Sequence, residues 1–437
     1  MTSRLLYFLA AFIGLHILAP LMALPEPPPT SFQDEAAARI TEHRTGDFTL
    51  RLVDAEDQPL GGVRARLSLS RHDFLFGTAI NGGPLMKTGE DGKKYRQFIL
   101  DHFNGLVAEN SMKWPQNEPE PDVDDFERAD AIAAFARKHD FALRGHCLFW
   151  SKKKWQSDWV QQLEGEPLRE AMHQRMAAIL PRYTPQIRDW DANNEMLHGD
   201  FFKSRSEGIR PFIFETAQAL APEARFFTNE YSILDSDENT QTYIELIRGL
   251  QAQGAPVGGI GIQEHAAERF TQARGAGDEV ERGSVAPLRP REVWARLDRL
   301  AELGLPIHIT EVSFKTRDLE AQAEALELFY RTAFAHPGVD AFFLWGFWER
   351  AHWLKGDAAL VDADWTLKPA ARRLHKLLNE EWTTEASAMS DPDGRVEFRG
   401  FYGTYALELT FPDGSVQRTR VNFSKDQPNP QLELRRP

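Results

Sequence analysis

Between residues 74 and 381 the chain alternates, eight times, a short run of β-branched and aromatic residues with a longer amphipathic stretch, and this alternation limits the fold most. The strand candidates are 74–80, 105–110, 142–149, 189–195, 225–231, 257–265, 306–313 and 341–348. Helical patterns such as FERADAIAAFARKH (126–139) and REVWARLDRLAEL (291–303) lie between them. Strands that alternate with helices form a parallel sheet. Eight such units match a closed (β/α)₈ TIM barrel, which needs about 250 residues before insertions. A doubly wound open sheet is the competing arrangement, but no glycine-rich phosphate loop follows any early strand.

The flanks read differently. Segments 47–69 and 395–410 alternate apolar and polar residues around turn signals (PLGG, DPDG, PDG), the pattern of half-buried antiparallel strands. Neither flank alone has enough strands for a stable sheet. We therefore expect the N-terminal (47–73) and C-terminal (382–437) β segments to pair into one small β-sandwich with the barrel inserted between them. The flanks resemble transthyretin-like modules. Their only aromatic platform would be Phe401, Tyr402 and Tyr405, so a stabilising role is expected rather than carbohydrate binding. Residues 25–46, which open on PEPPP, read as a linker. Residues 1–24 read as an export signal or N-terminal anchor, placing the mature domain outside the cytoplasm.

Hydrophobic content of 42% and charged content of 27% are globular values, and the net charge of −14 with no long basic block argues against a nucleic-acid partner. The single cysteine, Cys147, rules out an internal disulfide framework and a multi-thiolate zinc site. His265 and Glu268 have the spacing of a two-ligand metal contact, but no third ligand lies nearby in sequence, so no metal or other cofactor is expected.

In a barrel of this kind, chemistry sits at the C-terminal ends of the strands. Polar residues ending apolar strands are therefore the candidates. They are Glu109, Asn110 and Lys113 after the second strand, His146 and Trp150 after the third, and Asn194 and Glu195 after the fourth. Asn229, Glu230 and Tyr231 end the fifth, Gln263 and His265 the sixth, and Glu311 the seventh, while Trp345 and Trp353 follow the eighth. Buried polar groups are costly without partners, so such a ring implies a ligand at the mouth. Glu195 and Glu311 end strands on facing parts of the barrel. A carboxylate pair is what glycoside hydrolysis needs, and tryptophans stack on the flat faces of sugars. Structural pairing of both glutamates with basic residues is the alternative on position alone.

The motifs AENSMKW, RGHCLFW, WDANNE, GIGIQEH, ITEVSF and LWGFWERAHW, in that order over residues 74–381, together resemble glycoside hydrolase family 10, the endo-β-1,4-xylanases. NNEMLHGDFF followed by FFTNEYSI is most similar to its plant-type branch. The resemblance implies roles. Glu195 falls on the general acid/base and Glu311 on the nucleophile of a retaining double displacement, with Asn194 on the sugar 2-hydroxyl. Glu109, Asn110 and Lys113 fall on residues that grip the substrate. His146, Gln263 and His265 surround the nucleophile, and Trp150, Trp345 and Trp353 form floor and lid; Tyr231 falls among the substrate-binding residues.

Two departures stand out. Ser313 occupies the place of an aspartate that holds His265, which is expected to lower that histidine's pKa. Lys152, Lys153 and Lys154 follow Trp150 and form a basic loop that could meet acidic side groups on a decorated xylan, or be an ordinary solvated charge run. The expected partner is a polysaccharide, with no obligate protein partner. A related β-glucanase and a non-catalytic carbohydrate-binding barrel are the alternatives.

Overall fold

The computed structural model describes residues 31–184, 186–271 and 287–433. The segment read as signal or anchor lies outside them, and no described helix is long and apolar enough to cross a membrane. In chain order the described strands begin with β1 (Thr45–Val53) and β2 (Arg64–His72). The barrel strands are β3 (Leu75–Ile80), β4 (Gly105–Ala108), β5 (Ala142–Gly145), the short β6 (Phe149–Trp150), β7 (Asp189–Asn194), β8 (Arg225–Tyr231), β9 (Gly259–Glu264), β10 (Ile307–Val312) and β11 (Val339–Leu344). β12 (Glu385–Met389), β13 (Arg395–Phe401), β14 (Gly403–Thr410), β15 (Val416–Phe423) and β16 (Gln431–Glu433) follow.

The pairings β3–β4–β5–β7–β8–β9–β10–β11, with β11 returning to β3, are all parallel and close a barrel. Strands such as β3 and β4 are buried on both faces, which is why they read as near-continuous apolar runs. Helices seal the outer face. Pro290–Ala301 starts on a proline and buries Val293, Trp294, Leu297 and Leu300, a spacing that puts all four on one stripe. Inside the barrel Phe343 fills the space beside Gly77 and Gly105, and Phe227 that beside Gly259. A Cβ at Gly77 would stand 2.2 Å from the Phe343 ring, so small and large residues must alternate there.

The third strand differs from its reading. It stops at Gly145 and resumes for two residues at Phe149, and the intervening segment carries a cis His146–Cys147 peptide. The eighth strand ends at Leu344 rather than 348, so Trp345 is free to face the mouth.

The flanks pair. β1 runs antiparallel to β13, and β2 antiparallel to both β12 and β14, giving sheets β13–β1–β16 and β12–β2–β14–β15. Phe48, Leu50, Leu67, Leu407 and Phe423 form the apolar core between them. Tyr405 is wholly buried, and Phe401 and Tyr402 pack on His72 and Phe48, so these aromatics form no exposed platform. Of the stretch read as a linker, residues 25–30 lie outside the described residues, and Phe32–Arg44 form a helix, α1. Ser31 caps it by accepting from the Asp34 amide, Ala36 and Ile40 are buried, and Arg44 donates to the carbonyls of Phe334, His336 and Val339 at 2.6–2.7 Å. So few of its residues are apolar that no helical periodicity shows in the sequence; its docking through Arg44 is a tertiary event.

Candidate active site

Glu311 enters the mouth from β10, every residue of which is buried. Its Oε1 accepts from Asn229 Nδ2 at 2.8 Å and its Oε2 from His265 Nε2 at 3.2 Å, while His146 Nδ1 stands 3.8 Å from Oε1. Burial raises the pKa of a carboxyl, yet here His146, the hydrogen bond from His265 and the Lys113 charge outweigh it and hold Glu311 below its ordinary value. The group is poised as an anion.

Glu195 is built otherwise. It follows β7 directly and adopts φ +57°, a left-handed backbone that costs a non-glycine residue roughly 1–2 kcal/mol. Its amide donates to the carbonyl of Asn229 at 2.9 Å, which fixes the turn. Among the described residues its carboxylate has one charged neighbour within ion-pair reach, Lys152 Nζ at 3.7 Å. Gly199 closes the following loop against Ser151, whose carbonyl oxygen would lie 2.3 Å from any Cβ placed there.

Asn229 joins the two glutamates, one through its carboxylate and the other through its backbone amide. Its Nδ2 serves Glu311 and Asn194 Oδ1, its Oδ1 accepts from Thr310 Oγ1 at 2.5 Å, and its carbonyl receives the Glu195 amide. Asn194 Oδ1 accepts a second bond from Gln263 Nε2 at 2.9 Å, so the Asn194 amide hydrogens are the part of that side chain left for a ligand.

A second chain of bonds runs along the rim. Trp353 Nε1 donates to Ser313 Oγ at 3.3 Å, Ser313 Oγ lies 3.2 Å from His265 Nδ1, and His265 Nε2 reaches Glu311. A hydroxyl accepts from one neighbour and donates to another, so the Ser313–His265 contact does not require an imidazolium, whereas a carboxylate there could only accept.

Of the remaining candidates, Glu109, Asn110, Lys113, His146, Trp150, Asn194, Tyr231, Gln263, His265, Trp345 and Trp353 line the same cavity of about 710 Å³ with both glutamates, whereas Glu230 is buried outside that lining, its carboxylate on the Leu197 amide and His198. Lys113 donates to Asn110 Oδ1 at 3.0 Å and stands 4.6 Å from the Trp150 ring centroid. Burial raises the Glu109 pKa, against the Lys113 charge. Trp353 is 48% exposed and caps His265, whereas Trp345 is 6% exposed and packs edge-on against His146. Sequence reading placed Asn229 at a strand end without assigning it a role, and it missed Asp191, whose carboxylate holds His146 at 2.8 Å and Arg144 at 2.5 Å. The signal for Asp191 was available: an aspartate in mid-strand must be paired. It also missed Trp155, which stacks on Trp150 with ring centroids 5.0 Å apart.

Residues 67–377 match the family described as Glycosyl hydrolase family 10. The anti-sigma-I factor RsgI6 of Acetivibrio thermocellus is 36% identical over 94% of this chain and 51% of that protein. The endo-1,4-beta-xylanase 2 of Arabidopsis thaliana is 32% identical over 90% of this chain and 34% of its own length. The chain thus spans about half or less of these relatives. Among solved structures, xylanase 10B of Thermotoga petrophila RKU-1, crystallised with xylobiose, superposes with a TM-score of 0.61 at 25% identity over 71% of this chain and 95% of its own. With the matched segment spanning the whole barrel and both glutamates, this chain belongs to glycosyl hydrolase family 10.

Proposed function

We propose that the protein hydrolyses internal β-1,4 bonds of xylan with retention of anomeric configuration. One observation carries this reading: Asn229 ties an anionic, deeply hydrogen-bonded Glu311 and a more open Glu195 to one cavity. In the first step Glu311 attacks the anomeric carbon and forms a glycosyl ester as the glycosidic C–O bond breaks, the Glu195 proton passing to the leaving oxygen. In the second, Glu195 takes a proton from water, whose oxygen displaces Glu311. Asn194 would hold the 2-hydroxyl, and Trp150, Trp345 and Trp353 would stack on sugar faces. Xylan as substrate is supported by the names of the xylanases the chain resembles. The apolar run 5–24 supports export, so we place the reaction outside the cytoplasm.

The test is reducing-end release from β-1,4-xylan and from soluble β-glucan, with Glu311→Ala as control and the first-formed anomer read by NMR. Release from xylan that vanishes in the variant, with the β-anomer formed first, supports the reading. Release from glucan alone keeps the mechanism and replaces the substrate. No release from either by folded protein leaves a carbohydrate-binding barrel.

A further inference from the structure

We infer that the turn Lys153–Trp155 at the rim of the cleft is a subsite for a carboxylate-bearing side group, a uronic acid carried on the polysaccharide backbone; this rests on reading the cleft as a polysaccharide site. Lys152 begins the turn and is spent inside the protein: its Nζ donates to the His198 carbonyl at 2.6 Å and to Tyr231 Oη at 3.2 Å, and faces Glu195. Gln156 ends it. That side chain is 7% exposed and donates through Nε2 to the carbonyls of Trp150 and Lys152, so the turn is stapled at both ends before any ligand arrives.

The two lysines between these anchors differ from Lys152. Lys153 and Lys154 are exposed, and neither has a carboxylate partner among the described residues. Arg225 and Arg331, by contrast, are matched by Asp189 and Glu381. Lys154 lines the cavity together with Trp155, and its Nζ stands 4.8 Å from the Trp155 ring centroid. Trp155 is 45% exposed, with one ring system backed by Trp150 at an interplanar angle of 14°. An open indole and an unmatched ammonium side by side suit a pyranose ring that also bears a carboxylate: the ring face meets the indole and the charge meets the amine. A phosphate or an inorganic anion would leave the indole unused. With a net charge of −14, the protein as a whole repels an anionic polymer, so a local cationic strip beside the catalytic cleft is where such a polymer could be held.

The test measures affinity by gel electrophoresis through uronic-acid-substituted xylan and through the same polymer after carboxyl reduction, for the full chain and for Lys153→Gln/Lys154→Gln, with reducing-end release by the unmutated protein run alongside. An exposed ion pair predicts roughly two- to fivefold tighter binding to the intact polymer at low salt, a ratio that falls to one in the variant and at high salt. Equal affinity for the two polymers, or a preference that persists in the variant, overturns the subsite. Absence of reducing-end release with the preference intact overturns the hydrolase reading and leaves the subsite standing.

Discussion

Two buried polar networks share this barrel, and they are finished differently. The lower one pairs Asp191 with Arg144 and His146, Arg144 with His308 Nδ1 at 2.9 Å, and Asp189 with Arg225. Its acceptors and donors are consumed by one another. Burial, then the Arg144 charge, pushes His308 down to about 3, so it stays neutral between the charged members. The upper network, centred on Asn229 and Glu311, leaves the Asn194 amide hydrogens without a protein acceptor among the described residues, the Glu195 carboxylate with Lys152 as its one ion-pair neighbour there, and the Trp353 ring exposed. His146 belongs to both, held by Asp191 and standing beside Glu311. A closed network of this kind costs desolvation and returns rigidity; an open one keeps its unmatched groups for a substrate.

That contrast can be broken at several points. Glu311→Gln should abolish turnover by on the order of 10⁴-fold or more while leaving the unfolding transition close to that of the unmutated protein, as measured by initial rates and urea denaturation. Asp191→Ala should do the reverse in character. It strands the buried Arg144 guanidinium and should cost about 3–5 kcal/mol of stability in the same denaturation, with lost activity following lost fold. A denaturation midpoint unchanged in Asp191→Ala would show that the lower network is not closed.

Next in size is a shift in pH dependence. The Glu311 carboxyl is held low in part by His265, so its contribution to kcat/KM persists above its depressed pKa and is lost as pH falls through that value. His265→Gln removes part of that support, and the acid limb should move to higher pH. An acid limb that stays in place would take His265 out of the electrostatics of Glu311. The smallest effect is expected from Ser313→Ala, which removes one link between Trp353 and His265. It should raise KM several-fold, about the worth of one hydrogen bond, with little change in stability.

Legibility in the sequence followed the same division. The upper network's outward-facing members were readable because a polar residue close to the C-terminal end of a barrel strand faces the mouth; Glu311, Glu195, Gln263 and Tyr231 all lie within two residues of a strand end. Asn229 obeyed it too, but its role as the common partner of both glutamates depends on β7, β8 and β10 meeting, which no single segment encodes. Asp191 and Arg144 were passed over because the match between them spans two separate strands. The helix α1 was missed because its face is mostly polar and its anchoring bonds, from Arg44, go to backbone carbonyls some 290 residues away.

The sequence by itself determined the eightfold strand–helix alternation, the antiparallel character of segments 47–69 and 395–410 and the identity of the residues that crown the barrel, since periodicity and strand-end position are local properties; that β16 runs parallel to β1 was not among them. Tertiary structure alone decided which of three consecutive lysines is spent beside Glu195 and which remain unmatched, that Ser313 connects Trp353 to His265, and that one asparagine joins the two glutamates. Those outcomes depend on distances between strands far apart in the chain, and hydrogen bonds and charges act over a few ångströms of space, whatever the separation in sequence.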